Sequence, residues 1–478
     1  MNTTSVILTS ILTYAFGLGG ALQAAQHQAP SPQTATYQGA GRYVQVEYPP
    51  STAANELQVG VTYNLWIPGG APRLRCVIVH QHGAGALASK GGETAAYDLH
   101  WQALAKKWDC ALLGPYYHVL GEKTDTSPGG SELWMDPRLG SDKSFLKALE
   151  EMSVQSVHPE LKTVPWVLWG HSGGAIWSNV MTMLHPERVV AVFLRSASAD
   201  SFRFDWHVKR PGFRQPEVPA AVYTVPIMCN AGVKEKPENG PLWRWNGVWE
   251  GELATFQEYR TKGAPIGFAP DPRTAHECGD SRYLAIPFLD ACMAMRLPAE
   301  GSKDQTLRPV DSSQVWLASL LGDTAVPAAD FKGNTREAVW LPNAAVAHAW
   351  MEYVKNGTVG DSTPPSSPFD LKVVAKPDQG NEITWDAEAD FESGIGGFII
   401  LRDGRGLARL PAAPQDQVYG GPRPLFQGIS FHDTPEAPIP EMRYLDTSSH
   451  AGEKHTYTVI TLNSAGVPSE PSAPATVP

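Results

Sequence analysis

One serine is distinguished by the residues around it. Ser172 lies in the pentapeptide Gly-His-Ser-Gly-Gly at 170–174, between an apolar run at 164–169 and a longer apolar run at 175–184. Strand, G-x-S-x-G and helix, in this order, are the context that a nucleophile elbow requires. The glycines two positions on either side are small enough for the sharp turn, and the N-terminus of the following helix favours developing negative charge. The pattern predicts that Ser172 is a nucleophile.

A serine nucleophile needs hydrogen-bond donors for the oxyanion of its tetrahedral intermediate. The run at 75–81 is typical of a buried parallel strand, and it leads into His-Gly-Ala-Gly-Ala at 82–86. Residues this small let backbone N–H groups approach a ligand closely, and Gly173 would supply a second N–H. The alternative is a glycine-rich turn without a role. The chain order favours the oxyanion hole, because this loop precedes the nucleophile in such enzymes.

The general base and the acid that orients it are expected downstream of the serine. Among the 14 histidines, His276 combines a loop after a late apolar strand with a position ahead of a predicted helix. We interpret it as the general base. Glu235 follows a strand at 221–230, where a carboxylate can accept the N–H of that histidine. Glu238 and Asp200 remain alternatives for the acid.

Two groups of residues resemble parts of a metal site, but neither supplies a complete set of ligands. His80 and His82 alternate along one strand and so face the same way, but no third ligand of a suitable type follows closely. The segment 276–280 begins like the zinc motif H-E-x-x-H, but Asp280 stands where that motif has its second histidine. We therefore expect no catalytic metal, and an acyl-enzyme mechanism needs no cofactor.

These motifs resemble those of the α/β-hydrolase superfamily, and more narrowly those of secreted serine esterases grouped with polyhydroxyalkanoate depolymerases and feruloyl esterases. The resemblance covers about residues 40–300 and rests on 79–85, 168–174 and 276–281. It implies the α/β-hydrolase fold, an ester substrate, and a catalytic set consisting of Ser172, His276 and Glu235, with the N–H groups of Ala84 and Gly173 as the oxyanion hole. The family's acid is most often Asp, so Glu235 departs from the pattern.

The elements around these motifs must hold them at one edge of a sheet. Alternating strands and helices predict a mostly parallel sheet with helices on both faces. Long loops at its carboxyl edge, 120–139 and 237–249, are expected to form the substrate pocket. The candidate pocket residues are His82, Trp134, His171, Trp243 and Trp245. The alternative is that the tryptophans only pack the domain.

The pattern changes after a Pro- and Ser-rich linker. Short alternating strands without helical periodicity, and a core candidate at Trp385, resemble a fibronectin type III domain. Such a sandwich has no chemistry of its own, so a spacer or a covering for the catalytic domain is favoured over a polymer-binding module. We divide the chain into a signal peptide (1–25), an unstructured leader (26–40), an α/β-hydrolase domain (41–300), a closing segment (301–358), a linker (359–368) and the fibronectin type III-like domain (369–478).

Composition limits the partners. A net charge of −11 and the lack of a basic run argue against nucleic acid and anionic membranes. The uncharged, apolar N-terminus predicts export to the periplasm or beyond, and no later segment is long enough for stable membrane insertion. Of five cysteines, most are expected as buried thiols, although Cys278 and Cys292 could form a disulfide beside the histidine loop.

The sequence thus predicts an exported serine esterase that acts on a small or polymeric ester. A serine peptidase or amidase would use the same residues and is the alternative among enzymes. A binding protein that works through its sandwich domain is the alternative from another class. The acyl group, the alcohol and the oligomeric state are left open.

Overall fold

The protein is known from a computed structural model, which describes residues 41–53, 56–119, 131–203, 214–239, 246–302, 306–412, 425–436, 442–450 and 452–477. The predicted signal peptide and leader lie outside these residues. The same holds for Trp243 and Trp245.

The largest element is a mixed eight-stranded sheet. Its strands are β1 (Arg42–Tyr48), β2 (Val61–Ile67), β3 (Cys76–Gln81), β4 (Cys110–Tyr117), β5 (Trp166–His171), β6 (Val189–Arg195), β7 (Ile227–Asn230) and β8 (Ile266–Phe268). They lie in the order β1-β2-β4-β3-β5-β6-β7-β8. Strands β3 to β8 run parallel to one another, whereas β2 is antiparallel to both β1 and β4. The sheet is therefore mostly parallel, as the sequence predicts.

Helices cover this sheet. They are α1 (Ala86–Thr94), α2 (Leu99–Lys107), α3 (Ser141–Gln155), α4 (Gly173–Leu184), α5 (Asn246–Thr261), α6 (Arg282–Arg296) and α7 (Ala344–Asn356). Every residue of β2, β3, β5, β6 and β7 is buried, so both faces of these strands are covered. Helix α4 packs on β5 and β6, and α6 packs on β6 and α7. No helix in the described part of the chain is long and apolar enough to cross a membrane.

A small antiparallel sheet adjoins the edge of the large one. It consists of β9 (Trp316–Ala318), β10 (Ala325–Pro327) and β11 (Val339–Leu341) in the order β10-β9-β11. Strand β11 contacts β8, and α7 contacts all three strands. This part of the chain was expected to close the catalytic domain, and it packs against the last strand of the large sheet.

The C-terminal region forms two further antiparallel sheets. One contains β12 (Phe369–Lys376), β13 (Gly380–Asp386) and β16 (Arg443–Asp446); the other contains β14 (Ile395–Arg402), β15 (Arg405–Leu410), β17 (Thr456–Asn463) and β18 (Ala475–Thr476). Ile383 and Trp385 of the first sheet share one apolar core with Phe398 and Val459 of the second. Two sheets that share a core form a sandwich, and Trp385 is buried in it as predicted.

The cysteine pairing differs from the one considered for Cys278 and Cys292. Both are buried free thiols, as is Cys229, and the disulfide joins Cys76 to Cys110 on the neighbouring strands β3 and β4. Cys292 lies ten residues into α6, which places it roughly 15 Å along the helix axis from its start near Cys278. A disulfide spans less than about 7 Å between Cα atoms, so these two cysteines cannot pair.

Candidate active site

Ser172 lies at the turn between β5 and α4. Its backbone has φ 55° and ψ −120°, a left-handed conformation that is rare for a residue with a side chain. A Cβ on Gly170 would lie 2.2 Å from the carbonyl oxygen of Gly174, and one on Gly174 would lie 2.4 Å from that of Gln81. Any larger residue at either position would clash with backbone. The sharp strand-to-helix turn predicted from the pentapeptide is therefore present.

The serine hydroxyl begins a line of two hydrogen bonds. Ser172 Oγ lies 2.8 Å from His276 Nε2, and His276 Nδ1 lies 2.7 Å from Glu235 Oε1. All three residues are buried, with exposed fractions of 8%, 4% and 4%. Because a carboxylate only accepts, Nδ1 carries the histidine proton and Nε2 is left to accept the proton of the serine. This arrangement can generate a serine alkoxide at the moment of attack.

Glu235 is held by both of its oxygens. It ends a short 3₁₀ turn, Val233–Glu235, that follows β7. Its Oε2 accepts a hydrogen bond from the Ser196 hydroxyl at 2.8 Å and another from the Gly232 N–H at 2.9 Å. Oε1 is thereby aimed at His276. Ser196, which no sequence motif indicates, thus helps to orient the Glu235 carboxylate.

The two alternative acids are engaged elsewhere or exposed. Asp200 accepts a hydrogen bond from the Thr255 hydroxyl at 2.7 Å. Glu238 is exposed on a following 3₁₀ turn. Of the three candidates, Glu235 is the one whose carboxylate lies at hydrogen-bond distance from His276.

Arg195 fixes the loop that carries the histidine. It ends β6, is fully buried, and donates to Asn230 Oδ1 at 3.1 Å and Thr274 Oγ1 at 2.7 Å. It also donates to the carbonyl groups of Ala275 and Glu277, on either side of His276. The sequence does contain a signal for the role of Arg195. A charged residue at the end of a buried strand needs partners, and these must come from neighbouring loops.

The two residues predicted to form the oxyanion hole, Ala84 and Gly173, lie close to each other. Gly173 is the first residue of α4, where N–H groups have no partner inside the helix. A Cβ on Gly173 would lie 3.0 Å from the Cβ of Ala84, so these two residues lie close to each other beside Ser172. His82 shapes the same loop: its Nδ1 donates to the Gly83 carbonyl at 2.5 Å, and its Nε2 accepts from the Tyr117 N–H at 3.4 Å. Burial lowers the pKa of His82 to about 4, so its imidazole is neutral.

His80 and His82 do not converge on a shared ligand. His80 Nε2 lies 3.4 Å from Asp433 Oδ2, whereas both nitrogens of His82 are engaged by backbone. Within the described ranges, no group of three or more His, Cys, Asp and Glu side chains could hold a metal ion.

The described pocket candidates form a layer behind the site. His82, Trp134 and His171 are fully buried, so in this structure they offer no surface to a substrate. The ring of Trp134 stacks on Tyr117, with 4.4 Å between centroids. For Trp134, packing of the domain is therefore the role that the structure supports.

No protein-family model and no curated protein matches this chain. Solved structures with some similarity include an S-formylglutathione hydrolase from Agrobacterium tumefaciens, at 16% identity and a TM-score of 0.35, with 54% of this chain and 95% of that chain covered. A fluorophosphonate-binding serine hydrolase from Staphylococcus aureus has 11% identity and a TM-score of 0.32, covering 54% and 98%. An Fn3-like protein from Clostridium thermocellum has 22% identity and a TM-score of 0.15, covering 24% and 94%. Similarities of this size leave the chemistry to be inferred from the site itself.

Two residues of the C-terminal region also lie at the site. The Phe431 ring centroid is 6.0 Å from that of His171 and 6.4 Å from that of His276. His432 Nδ1 lies 3.0 Å from His171 Nδ1. The sequence predicts a role for neither residue, because a fibronectin type III-like region is expected to have no chemistry of its own. No local pattern around them indicates a contact with residues more than 150 positions away.

Proposed function

We propose that this protein is an exported serine hydrolase that cleaves carboxylic esters through an acyl-enzyme. The observation that carries the proposal is the hydrogen-bonded line from Ser172 through His276 to Glu235, which begins at a strained strand-to-helix turn. A buried serine, histidine and carboxylate in this order have the geometry for nucleophilic acyl transfer.

Each residue has one role in the proposed mechanism. Ser172 Oγ attacks the ester carbonyl while its proton passes to His276 Nε2, and Glu235 stabilises the imidazolium that forms. The N–H groups of Ala84 and Gly173 hold the oxyanion of the tetrahedral intermediate. Collapse of the intermediate breaks the bond to the alcohol, which leaves with the proton from His276. Water, activated by the same histidine, then hydrolyses the acyl-enzyme and regenerates Ser172.

We infer an ester substrate, and not an amide, from the resemblance to secreted esterases. That resemblance suggests polyesters and plant-derived aromatic esters as substrate classes. Nucleic acid is not expected as a partner, because the net charge is −11. Export is supported by the disulfide between Cys76 and Cys110, since such bonds persist in oxidising compartments.

The nucleophile is tested by Ser172→Ala, with the exposed Ser313→Ala as control. We expect Ser172→Ala to keep the circular dichroism spectrum and to lose turnover of 4-nitrophenyl butanoate, because the serine is indispensable for acylation. Ser313→Ala should behave as the wild type. A fluorophosphonate should label Ser172, as identified by peptide mass.

The same protein then separates esterase from amidase. We expect faster turnover of 4-nitrophenyl butanoate than of the matched 4-nitroanilide. Preference for the anilide would favour the amidase. Undiminished turnover by Ser172→Ala, or a wild type that is inert on all esters and is not labelled, would refute the serine-hydrolase proposal and favour a binding protein.

A further inference from the structure

The segment 425–436 of the C-terminal region packs against the catalytic part of the chain. Cys278 lies two residues beyond His276, and its N–H donates to the Phe431 carbonyl at 3.1 Å. Gln427 donates to the Tyr97 carbonyl at 2.8 Å and accepts from the Leu99 N–H at 2.9 Å. The segment therefore follows the surface beside the active site and is tied to it by backbone groups.

A buried carboxylate fixes the middle of this segment. Asp433 has no exposed surface, and its Oδ1 accepts from Arg282 Nε at 2.7 Å. Its Oδ2 lies 3.3 Å from Trp101 Nε1 and 3.4 Å from His80 Nε2. Arg282 also pairs with Asp98, at 2.7 Å between Nη2 and Oδ2. These contacts join α2, β3 and α6 to Asp433, and they thereby hold the preceding residue, His432, in place.

The hydrogen bonds around His171 fix the tautomer of His432. His171 Nε2 lies 2.7 Å from the His276 carbonyl, which can only accept, so this nitrogen carries a proton. Burial, together with His276 and His432, lowers the pKa of His171 well below its ordinary value, so its Nδ1 is bare. The proton between the two Nδ1 atoms, 3.0 Å apart, therefore belongs to His432. Burial lowers the pKa of His432 to about 3, so its Nε2 is an unprotonated acceptor at neutral pH.

This acceptor is open to a ligand. Within the described part of the chain His432 Nε2 makes no hydrogen bond, and it does not belong to the buried side-chain atoms that lack a partner. His432 and Phe431 are both half-buried, whereas His171 and His82 behind them are fully buried. A bare imidazole nitrogen beside an aromatic ring can accept a hydrogen bond from a hydroxyl group while the ring contacts the adjacent carbon atoms.

We propose that His432, presented by the C-terminal region, is a specificity residue of the active site that accepts a hydrogen bond from a hydroxyl group close to the scissile ester of the substrate. The inference rests on the proposed esterase function. It assigns the substrate class as esters that carry a hydroxyl group on the acyl or the alcohol side, with apolar carbon against Phe431. The C-terminal region then forms part of the substrate-binding surface as well as part of the fold.

The test uses ester pairs in which a methyl group replaces the hydroxyl. Ethyl 3-hydroxybutanoate and ethyl 3-methylbutanoate probe the acyl side; 2-hydroxyethyl butanoate and propyl butanoate probe the alcohol side. We expect the full-length wild type to prefer the hydroxylated ester of at least one pair in kcat/KM. His432→Asn retains a donor near Nδ1 but loses the Nε2 acceptor. It should lower that preference roughly threefold to tenfold, the range for one hydrogen bond.

Two further variants complete the design. His432→Gln places an amide oxygen near the position of Nε2 and should restore part of the preference. The same Asn substitution at the exposed His450 should leave the preference unchanged. Equal kcat/KM within both pairs for the wild type, or a preference that His432→Asn leaves intact, would overturn the inference. Those results differ from failure of the proposed function, in which the wild type hydrolyses none of the four esters or Ser172→Ala hydrolyses them equally well.

Discussion

Replacing Asp433 by Asn should loosen the C-terminal region from the catalytic part of the chain. The carboxylate lies between donors on both sides: the Arg282 guanidinium at Oδ1, and the Trp101 N–H at Oδ2. An amide has one oxygen and one NH₂ group, so in either orientation its nitrogen faces a donor. The substitution removes the charge, and it replaces one of the two accepting oxygens by an NH₂ group that meets the Arg282 or the Trp101 donor.

The loss can be estimated from the buried ion pair. Removing one partner of such a pair costs about 3–5 kcal/mol, because the other charge stays buried without compensation. Arg282 keeps its second carboxylate, Asp98, at 2.7 Å. We therefore expect the low end, about 3 kcal/mol, which corresponds to a roughly 150-fold change in the unfolding equilibrium.

Urea unfolding of the full-length protein measures this loss, with Glu388→Gln as control. Glu388 pairs with Lys106 and also joins the C-terminal region to the catalytic part, but both side chains are about half exposed. An exposed pair contributes about 0–1 kcal/mol, so this variant should unfold near the wild-type midpoint. Because His432 precedes Asp433, the Asn variant should also show a weaker preference for hydroxylated esters at urea concentrations below its unfolding midpoint.

The pH dependence provides an independent check. Burial raises the pKa of Asp433, but the neighbouring Arg282 and His80 more than offset this, and the pKa lies below its ordinary value. A carboxylate with a lowered folded-state pKa contributes stability that is complete above its unfolded pKa of about 3.9 and is lost as the pH falls through the folded value. The stability gap between wild type and Asp433→Asn should thus be constant from pH 7 to 5 and narrow only below about pH 4. Equal midpoints for Asp433→Asn and Glu388→Gln would refute the reasoning.

Two further predictions concern the acid and the disulfide. Glu235→Gln should lower kcat for ester hydrolysis on the order of 10³-fold to 10⁴-fold, because the His276 tautomer and the imidazolium lose their partner. Glu238→Gln, at an exposed site, should stay near the wild-type kcat. The reverse result would assign the role of the acid to Glu238. Reduction of Cys76–Cys110, which closes a loop with a sequence separation of 34, should lower the unfolding free energy by about 4 kcal/mol, and a Cys76→Ala, Cys110→Ala variant should show no response to reductant.

The turn that carries Ser172 could be predicted from sequence because its signal is local. Ser172, its flanking glycines and the apolar runs on both sides lie within about twenty consecutive residues, and the strand-to-helix turn follows from sterics alone. The choice among Glu235, Glu238 and Asp200 was harder, because all three follow strands and only contacts across loops separate them. The Ser196 hydroxyl holds the Glu235 carboxylate that reaches His276, and no spacing rule connects Ser196 with Glu235.

The C-terminal region shows where local reasoning fails. A pattern of alternating strands correctly predicted sheets around Trp385, and the lack of chemical motifs beyond His276 then favoured a region that takes no part in the chemistry. Yet the contact between His171 and His432 joins residues 261 positions apart. Such a contact depends on how two regions dock. Side chains that meet in this way need only fit each other in space, so they leave no local pattern in the sequence.

A charged residue in an apolar element is the sequence feature that comes closest to indicating this contact between the two regions. Arg282 begins a mostly apolar helix, and a buried guanidinium in that position needs carboxylates or carbonyls from another element. It finds Asp98 and Asp433, one on each side of the junction. Ligand sites favour junctions between domains, because two surfaces there can enclose one substrate. On this argument the local motif determines the reaction, while the groups that select the substrate include residues that the motif cannot indicate.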